Sequence, residues 1–304
     1  PASRAQAGGV HGHSIVVDPG SYAWRHGDWA GRPWHETVLY ELHVGTFSPE
    51  GNFDGARRRL RHLAGLGVTA VELMPIGQWS GTRNWGYDGT LPFAPHSAYG
   101  HPDELKALVD EAHGLGLTVF LDVVYNHFGP DGNYMGIYAP ALFRQDLKTA
   151  WGDALDFRQR PVRDFFIQNA LQWLGEYRID GLRLDAAHAI RDDSEVHFLD
   201  ELAEVVHRRF AGRRHVHLVL ENEHNEARRL RRGAYAAQWN DDWHQCAHVL
   251  LTGEREGYYE PFAAEPVGGL ARSLAEGFVF QGEAWPLGDG TRGEPSAELA
   301  PTAF

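Results

Sequence analysis

The chain has 304 residues, of which 43% are hydrophobic and 23% charged, a balance typical of a globular protein. Its formal net charge of −13 argues against nucleic acid as a partner, because phosphate backbones are bound through Lys and Arg. No apolar run approaches the roughly 18 residues that a membrane span needs, so no membrane partner is predicted. A single cysteine, Cys246, excludes an internal disulfide framework and favours a cytoplasmic location.

Residues 1–36 are predicted to be a lead-in rather than a domain. The segment 1–12 is small and polar, and the triplet Asp-Pro-Gly at 18–20 is a turn signal. Four aromatic residues between Tyr22 and Trp34 are expected to pack this segment against the body. It resembles the end of an absent N-terminal domain, and residues 37–304 form the predicted catalytic domain.

From residue 37 onward, apolar runs typical of strands alternate with apolar residues at helical spacing. The predicted strands are 38–44, 68–73, 117–124, 181–184, 216–220 and 234–239, and the predicted helices are 53–67, 105–115, 162–177, 199–210 and 241–251. Strict alternation implies a parallel sheet with right-handed crossovers. No Gly-x-Gly-x-x-Gly follows the first strand, which disfavours a dinucleotide-binding fold.

Polar residues follow the predicted strands at their carboxyl ends, which is where barrel enzymes place their chemistry. Asn126 and His127 follow the third strand, Asp185 and His188 follow the fourth, and Glu221 follows the fifth. We therefore predict an α/β fold of the (β/α)8 TIM-barrel type, with about six β/α units present.

Arg183 and Asp185 lie two residues apart on the fourth strand, so their side chains share one face. Alone, such a pair also fits an ordinary structural ion pair. A retaining glycosidase, however, needs two carboxyl groups about 5 Å apart, and adjacent strands have about that spacing. We predict Asp185 as the nucleophile, with its pKa lowered by Arg183, and Glu221 as the general acid and then base.

Three segments together resemble signature regions of the alpha-amylase family of retaining glycoside hydrolases. They are 122–127 (Asp-Val-Val-Tyr-Asn-His), 181–188 (Gly-Leu-Arg-Leu-Asp-Ala-Ala-His) and 220–222 (Leu-Glu-Asn). Segments similar to one branch of it, the maltooligosyltrehalose trehalohydrolases, are 85–89, 126–134, 238–244, 251–254 and 278–282. The resemblance implies cleavage of the α-1,4 bond next to the terminal trehalose of maltooligosyl trehalose, with α-glucan oligosaccharides as partners.

The resemblance also implies roles for individual residues. Tyr87 resembles the aromatic residue that stacks on the sugar being cleaved, His127 a hydrogen-bond donor to that sugar, and Asp122 a structural support. The other residues that it places in substrate binding are Trp85, Asp88, Asn126, Trp151, His188, Trp239, Asp241 and Asp242. Asn126 also fits scaffolding, and His188 also fits a role in fixing the loop after Asp185. No cofactor is expected, and no spacing suggests a metal site.

One departure from the family pattern stands out. The fourth signature carries Asn-His-Asp on strand seven, and no Asn-His-Asp occurs in these 304 residues. The resemblance places strand seven beyond Phe304, so we expect strands seven and eight to be missing. The chain is then either a fragment of a longer protein or a remnant of weak or no activity.

Two alternatives remain open. A glucan branching or debranching enzyme of the same family uses the same carboxylates, and it is distinguished by its products. A non-catalytic glycan-binding fragment is favoured by the missing aspartate, because transition-state binding would be lost with that residue.

Overall fold

The computed structural model describes residues 2–231 and 233–304. The chain divides into two compact units. The first comprises the chain up to Asp185 together with Ile190–His217, and the second comprises Ala186–Ala189 and Leu218–Phe304. Each unit is described by itself below.

The first unit contains a four-stranded parallel sheet. Its strands are β1 (Leu39–Leu42), β2 (Ala70–Leu73), β3 (Thr118–Val123) and β4 (Gly181–Leu184), which lie in the order β4-β3-β2-β1. Every residue of β2 and β3 is buried, as expected for strands covered on both faces. Gly181 opens β4 because a side chain at this position would collide with the ring of Phe120 on β3.

Four long helices belong to this unit: α1 (Phe53–Gly65), α2 (Pro102–Gly114), α3 (Arg160–Gly175) and α4 (Phe198–Phe210). The side chain of Asn52 caps α1 by accepting a hydrogen bond from the backbone N–H of Gly55. A capping box between His101 and Glu104 starts α2, and Pro102 occupies its first turn. Apolar residues at helical spacing, such as Leu60 and Leu63 of α1, are buried.

Residues 2–36 pack on this unit. The backbone N–H groups of Arg25 and His26 both donate hydrogen bonds to the carboxylate of Asp110 on α2. The indole N–H of Trp29 donates to Asp180, and its ring stacks on His113. Packing of the N-terminal aromatic residues against the body, as the sequence predicts, therefore occurs. The boundary between lead-in and barrel at residue 36 stays a prediction.

The first unit also contains short elements that the sequence pattern did not predict. The antiparallel strand pairs are Gln6–Ala7 with His13–Ser14, Gly77–Gln78 with Leu91–Pro95, and Phe143–Thr149 with Gly152–Leu155. Single helical turns occur at Val44–Phe47 and Met135–Tyr138, and short 3-10 helices at Trp34–Glu36 and Pro140–Leu142. The predicted first strand, 38–44, ends instead at Leu42 because the chain turns into the helix that begins at Val44.

The second unit contains the parallel pair β5 (His217–Glu221) and β6 (Ala237–Trp239), with Glu221 opposite Trp239. Its helices are α5 (Asp241–Thr252), α6 (Pro266–Glu276) and the short Ala227–Arg231, with 3-10 helices at Ala187–Ala189, Gly257–Phe262 and Pro301–Ala303. A short hairpin joins Glu283–Ala284 to Thr291–Arg292. Cys246, Val249, Phe262 and Phe280 form a buried cluster.

The six predicted strands and five predicted helices are all present, in the predicted order. Their bounds differ by a few residues at most positions, and α6 is an additional helix. In the described part of the chain, no helix is both long enough and apolar enough to cross a bilayer.

Candidate active site

The carboxyl ends of β3 and β4 bring the predicted residues of the first unit together. The backbone N–H of Asp185 donates to the carbonyl of Val123 at 3.0 Å, which extends the pairing of the two strands by one residue. Asp185 therefore lies at the strand end, beside the segment that carries Asn126 and His127. This is the rim on which the sequence predicts the chemistry.

Arg183 joins two carboxylates. Its guanidinium Nη1 lies 2.6 Å from Oδ2 of Asp122 and 3.1 Å from Oδ1 of Asp185. Burial raises the pKa of Asp122 to about 7, the positive charge of Arg183 lowers it, and the negative charge of Asp185 raises it. Arg183 thus does more than pair with Asp185, because its charge is shared with a second, fully buried carboxyl.

Asn126 holds the other side of Asp185. Its amide Nδ2 donates to the backbone carbonyl of Asp185 at 3.0 Å and to carboxylate Oδ2 at 3.2 Å. One oxygen of Asp185 therefore faces a guanidinium and the other faces an amide N–H. Donors on both oxygens suit an ionised carboxylate held in a fixed orientation.

His127 and Tyr87 form a second set of contacts on this rim. Nε2 of His127 lies 2.9 Å from the backbone carbonyl of Tyr87, and the Tyr87 hydroxyl donates to Oδ2 of Asp122 at 2.9 Å. Burial is the main reason that the pKa of His127 lies below its ordinary value. Nδ1 of His127 contacts Oδ1 of the neighbouring Asn126. Tyr87, Asp122, Asn126 and His127 are thus one connected group.

Trp151 is an exposed aromatic residue of this group. It lies in the turn between the strands Phe143–Thr149 and Gly152–Leu155, and 51% of its surface is exposed. Its ring stacks on that of His127, with centroids 4.3 Å apart and an angle of 12° between the rings. Beside the two rings lies a cavity of about 240 Å³. A flat ring next to a cavity is suited to a sugar face.

Trp85 and Asp88 lie in the same loop as Tyr87. Trp85 precedes Tyr87 by two residues, and Asp88 follows it directly. Trp85 is 72% exposed. The carboxylate of Asp88 accepts a hydrogen bond from Nδ2 of Asn84 at 2.6 Å, and Asp88 is also exposed. Both residues are accessible to a ligand, in a loop that continues directly to Tyr87.

Glu221 ends β5 in the second unit. Its Oε2 accepts a hydrogen bond from the backbone N–H of Ala186 at 2.8 Å. Ala186 has a φ of 39°, a left-handed conformation that is uncommon for alanine. This strained residue directly follows Asp185 in the chain, and strain of this kind is concentrated at functional sites. His188, two residues further on, lies 3.5 Å from Oε1 of Glu223.

Asp241 and Trp239 also belong to the second unit. Burial and the negative charge of Glu221 raise the pKa of Asp241 to about 7, and the charge of Arg292 lowers it. Trp239 is partly exposed and lines a cavity of about 470 Å³ together with Trp243. Trp239 therefore borders a cavity, and Asp241 carries a carboxyl group whose pKa is raised toward neutral pH.

Asp242 differs from its neighbour because it is fully buried. Its oxygens accept hydrogen bonds from the backbone N–H groups of Val279 and Phe280, from the amide of Asn225 and from Arg292, at 2.7–2.9 Å. The side chain supports the second unit from inside, so its predicted contact with substrate remains unsupported.

Sequence reasoning missed two acidic residues, the exposed Glu41 on β1 and the buried Glu72 on β2. Glu72 is completely buried, and it lies close enough to Glu41 and Asp122 for one oxygen of each to fall within 4.8 Å of the others. The available signal was a charged residue in the middle of each apolar strand.

The fold is of the alpha-amylase type. Residues 19–169 match the family model of the alpha amylase catalytic domain, and the chain belongs to the alpha-amylase family. A crystal structure of a Salmonella typhimurium protein assigned as an alpha amylase covers 97% of this chain, with a TM-score of 0.94 and 48% sequence identity. This agreement confirms the predicted fold class, an incomplete (β/α)8 barrel.

Particular relatives carry a narrower name. The malto-oligosyltrehalose trehalohydrolase of Deinococcus radiodurans is 44% identical across the whole chain, which covers 50% of that protein. The enzyme of the same name from Saccharolobus solfataricus is 41% identical over 98% of this chain and 53% of its own length. The chain thus spans about half the length of the curated relatives it matches. The resemblance to the trehalohydrolase branch is confirmed.

Proposed function

We propose that the protein carrying this sequence is a retaining glycoside hydrolase that releases trehalose from maltooligosyl trehalose. The observation that carries this proposal is the pair of hydrogen bonds that Asp185 accepts. One carboxylate oxygen accepts from Arg183 and the other from Asn126. An ionised carboxylate fixed in this way at a strand end is suited to attack on a sugar carbon.

In the proposed first step, the carboxylate of Asp185 attacks the anomeric carbon of the glucose next to trehalose. The carboxyl group of Glu221 gives its proton to the glycosidic oxygen as the bond to that oxygen breaks. Trehalose leaves, and the maltooligosaccharide remains as an ester on Asp185. The step requires the two carboxyl groups to lie about 5 Å apart, which is the spacing of a retaining mechanism.

In the second step, Glu221 is a carboxylate and takes a proton from water. The oxygen of that water attacks the same anomeric carbon, and the ester bond to Asp185 breaks. The maltooligosaccharide leaves with its original anomeric configuration, and Glu221 regains its proton. Two displacements at one carbon account for the retention.

Substrate contacts are proposed for the residues that the family resemblance places in the site. Tyr87 stacks on the sugar that is cleaved, and His127 bonds to its hydroxyls. The further proposed contacts are Trp85, Asp88, Asn126, Trp151, His188, Trp239 and Asp241. Asp122 positions Arg183 and Tyr87, with which it shares hydrogen bonds at 2.6 and 2.9 Å.

The substrate is proposed from the names of the relatives and the segments shared with the trehalohydrolase branch. Those relatives are about twice as long as this chain. The activity is therefore proposed for the complete protein, and the 304-residue chain is expected to be weakly active or inactive. Residues 1–36 are proposed as a lead-in and 37–304 as the partial catalytic barrel.

We also propose a cytoplasmic location. Cys246 is buried, and burial raises the pKa of its thiol to about 11. A buried, protonated thiol is unreactive, as suits a protein without disulfides. The net charge of −13 supports the absence of a nucleic-acid partner.

The test is an analysis of products formed from maltooligosyl trehalose. We expect free trehalose and a shorter maltooligosaccharide, with no change in α-1,6 branch points. Gain or loss of branch points would instead support a branching or debranching enzyme. Binding of a long maltooligosaccharide in calorimetry without turnover by the complete protein would support a glycan-binding protein.

A further inference from the structure

Three acidic side chains of the first unit converge inside the sheet. Glu41 on β1 is the direct cross-strand partner of Glu72 on β2. Glu72 is in turn opposite Phe120 on β3, and Asp122 lies two residues further along the same face of that strand. Like charges that are directly opposite on neighbouring strands are destabilising unless something neutralises them.

The distances between these carboxylates match those around one metal ion. One oxygen from each of Glu41, Glu72 and Asp122 lies within 4.8 Å of the other two. Oxygen ligands of Ca²⁺ lie about 2.4 Å from the ion, so two ligands of one ion are at most about 4.8 Å apart. The three oxygens therefore fit within a single coordination sphere.

Buried carboxylate oxygens without hydrogen-bond partners provide a second, separate observation. Glu72 is 0% exposed, and neither of its carboxylate oxygens has a hydrogen-bond partner among the described residues. Oδ1 of Asp122, which is 1% exposed, lacks a partner in the same part of the chain. Buried polar atoms are nearly always satisfied, and an unsatisfied one calls for a proton, a water or an ion.

The local charge is also unbalanced. Arg183 contacts Oδ2 of Asp122 and Oδ1 of Asp185, and so serves two carboxylates already. Neither Glu41 nor Glu72 forms an ion pair within 4.0 Å with a basic residue of the described chain. Glu41 is exposed in this chain, and Glu72 is buried.

We propose that Glu41, Glu72 and Asp122 bind a hard divalent cation, Ca²⁺ or Mg²⁺, inside the sheet of the first unit. Three carboxylates without nitrogen or sulfur ligands select such ions over zinc. The sequence offers no loop motif for this site because each ligand comes from a different strand. The site shares Asp122 with the proposed active site, but binding of the ion does not require the proposed hydrolysis to occur.

A proton is the competing way to neutralise the cluster, since burial raises the pKa of Glu72 well above its ordinary value. The two cases are separable. A cation that displaces a proton from Glu72 or Asp122 releases that proton to the buffer. A cluster that only shares protons takes up no cation.

The experiment is isothermal titration of the chelator-treated protein with CaCl₂ and, separately, with MgCl₂ near neutral pH, in two buffers of different ionisation enthalpy. We expect one ion per chain for at least one of the salts, with release of protons. Glu72→Gln and Glu41→Gln are expected to weaken binding by at least about tenfold. The matched control is Glu195→Gln, which replaces an exposed glutamate outside the cluster, and it should bind like the parent.

Absence of saturable uptake up to about 10 mM of either ion overturns the proposal, since even weak protein sites for calcium bind near 1 mM. Equal affinities of Glu41→Gln, Glu72→Gln and Glu195→Gln also overturn it, because the ions are then held by scattered surface carboxylates. If Glu72→Gln does not fold, the exposed Glu41→Gln decides the question alone.

Discussion

Asp185 and Glu221 each stand at the end of a parallel strand, but their surroundings differ in kind. The carboxylate of Asp185 contacts the guanidinium of Arg183 and the amide of Asn126. Glu221 accepts a backbone N–H from Ala186, and its negative charge acts on another carboxyl, that of Asp241. One acidic residue is therefore placed among donors and a cation, the other close to a second acidic group.

This difference bears on the opposite roles proposed for the two carboxyl groups. A cation and an amide donor favour the charged form that a nucleophile needs. The neighbour of Glu221 is the carboxyl group of Asp241, and the role of Glu221 as proton donor is proposed from the family resemblance. The role proposed for Asp185 rests on its neighbours, and replacing either acidic residue tests the two assignments.

The largest effect is expected from Asp185→Asn. The amide cannot form the glycosyl ester, so we expect trehalose release by the complete protein to fall by about 10⁴-fold or more. The hydrogen bonds from Arg183 and Asn126 can still be made, so the folded state should persist. The rate of trehalose release and the unfolding midpoint are the measurements.

The control for that variant is Asp289→Asn, an exposed aspartate in the second unit. It should retain the parental rate. A parental rate in Asp185→Asn would remove Asp185 from the role of nucleophile and leave the Arg183 contact as a structural ion pair.

Glu221→Gln is expected to have the next largest effect, a loss of about 10²- to 10⁴-fold on the natural substrate, because the proton donor is gone. An α-glucosyl fluoride needs no proton on its leaving group, so formation of the ester from it should be much less impaired. Glu256→Gln, which replaces an exposed glutamate, serves as control. Equal losses on both substrates would mean that Glu221 does not act as the acid.

Asp122→Asn should change how stability depends on pH. The folded-state pKa of Asp122 is raised to about 7, so the folded protein binds this proton more tightly than the unfolded chain, whose pKa is about 3.9. Its contribution to stability is complete below pH 4 and is lost as the pH rises to about 7, by at most about 1.4 kcal/mol per pH unit.

Denaturant unfolding between pH 4 and 7.5, with a chelator present, measures this effect. The parent and Asp289→Asn should lose stability along a steeper slope than Asp122→Asn, in which Glu72 and Asp241 still titrate in the same direction. Identical slopes would show that Arg183 keeps Asp122 ionised throughout this pH range. The charge of Arg183 would then not be shared between Asp122 and Asp185 as the geometry indicates.

The smallest effect is expected from Trp151→Ala. The Trp151 ring is proposed to pack on a sugar face, a contact worth about 0.5–1.5 kcal/mol, so its loss should raise KM by up to about tenfold while kcat changes little. Tyr258→Ala is the control, because Tyr258 is also an exposed aromatic residue, 76% against 51%, and lines neither of the two cavities described above. A larger change in kcat than in KM would contradict a role in binding.

Much of the fold was predictable from the sequence because helix and strand periods differ. The strand Gly181–Leu184 has the predicted bounds, and the helix that begins at Phe53 also starts where predicted. The strand pair Phe143–Thr149 and Gly152–Leu155 was not predicted, because its exposed residues follow no apolar alternation. The sequence therefore predicted Trp151 as a substrate contact, but not that its ring stacks on His127.

The residues of the candidate site at the strand ends were predictable from the sequence. The contacts between side chains from different strands were not. Asp122 and Arg183 lie on neighbouring strands, and their residues are register partners, a relation that sequence spacing does not reveal. The burial of Asp242 depends on donors from residues 279, 280 and 292, far along the chain. The convergence of Glu41 and Glu72 depends likewise on strand register.

The most direct test of the account is the identity of the residue that becomes covalently attached to sugar. A fluorinated α-glucosyl fluoride that forms the ester quickly and releases it slowly should accumulate on the complete protein. Peptide mass spectrometry is then predicted to find the glycosyl group on Asp185. Label on another residue, or hydrolysis with inverted anomeric configuration, would contradict the account.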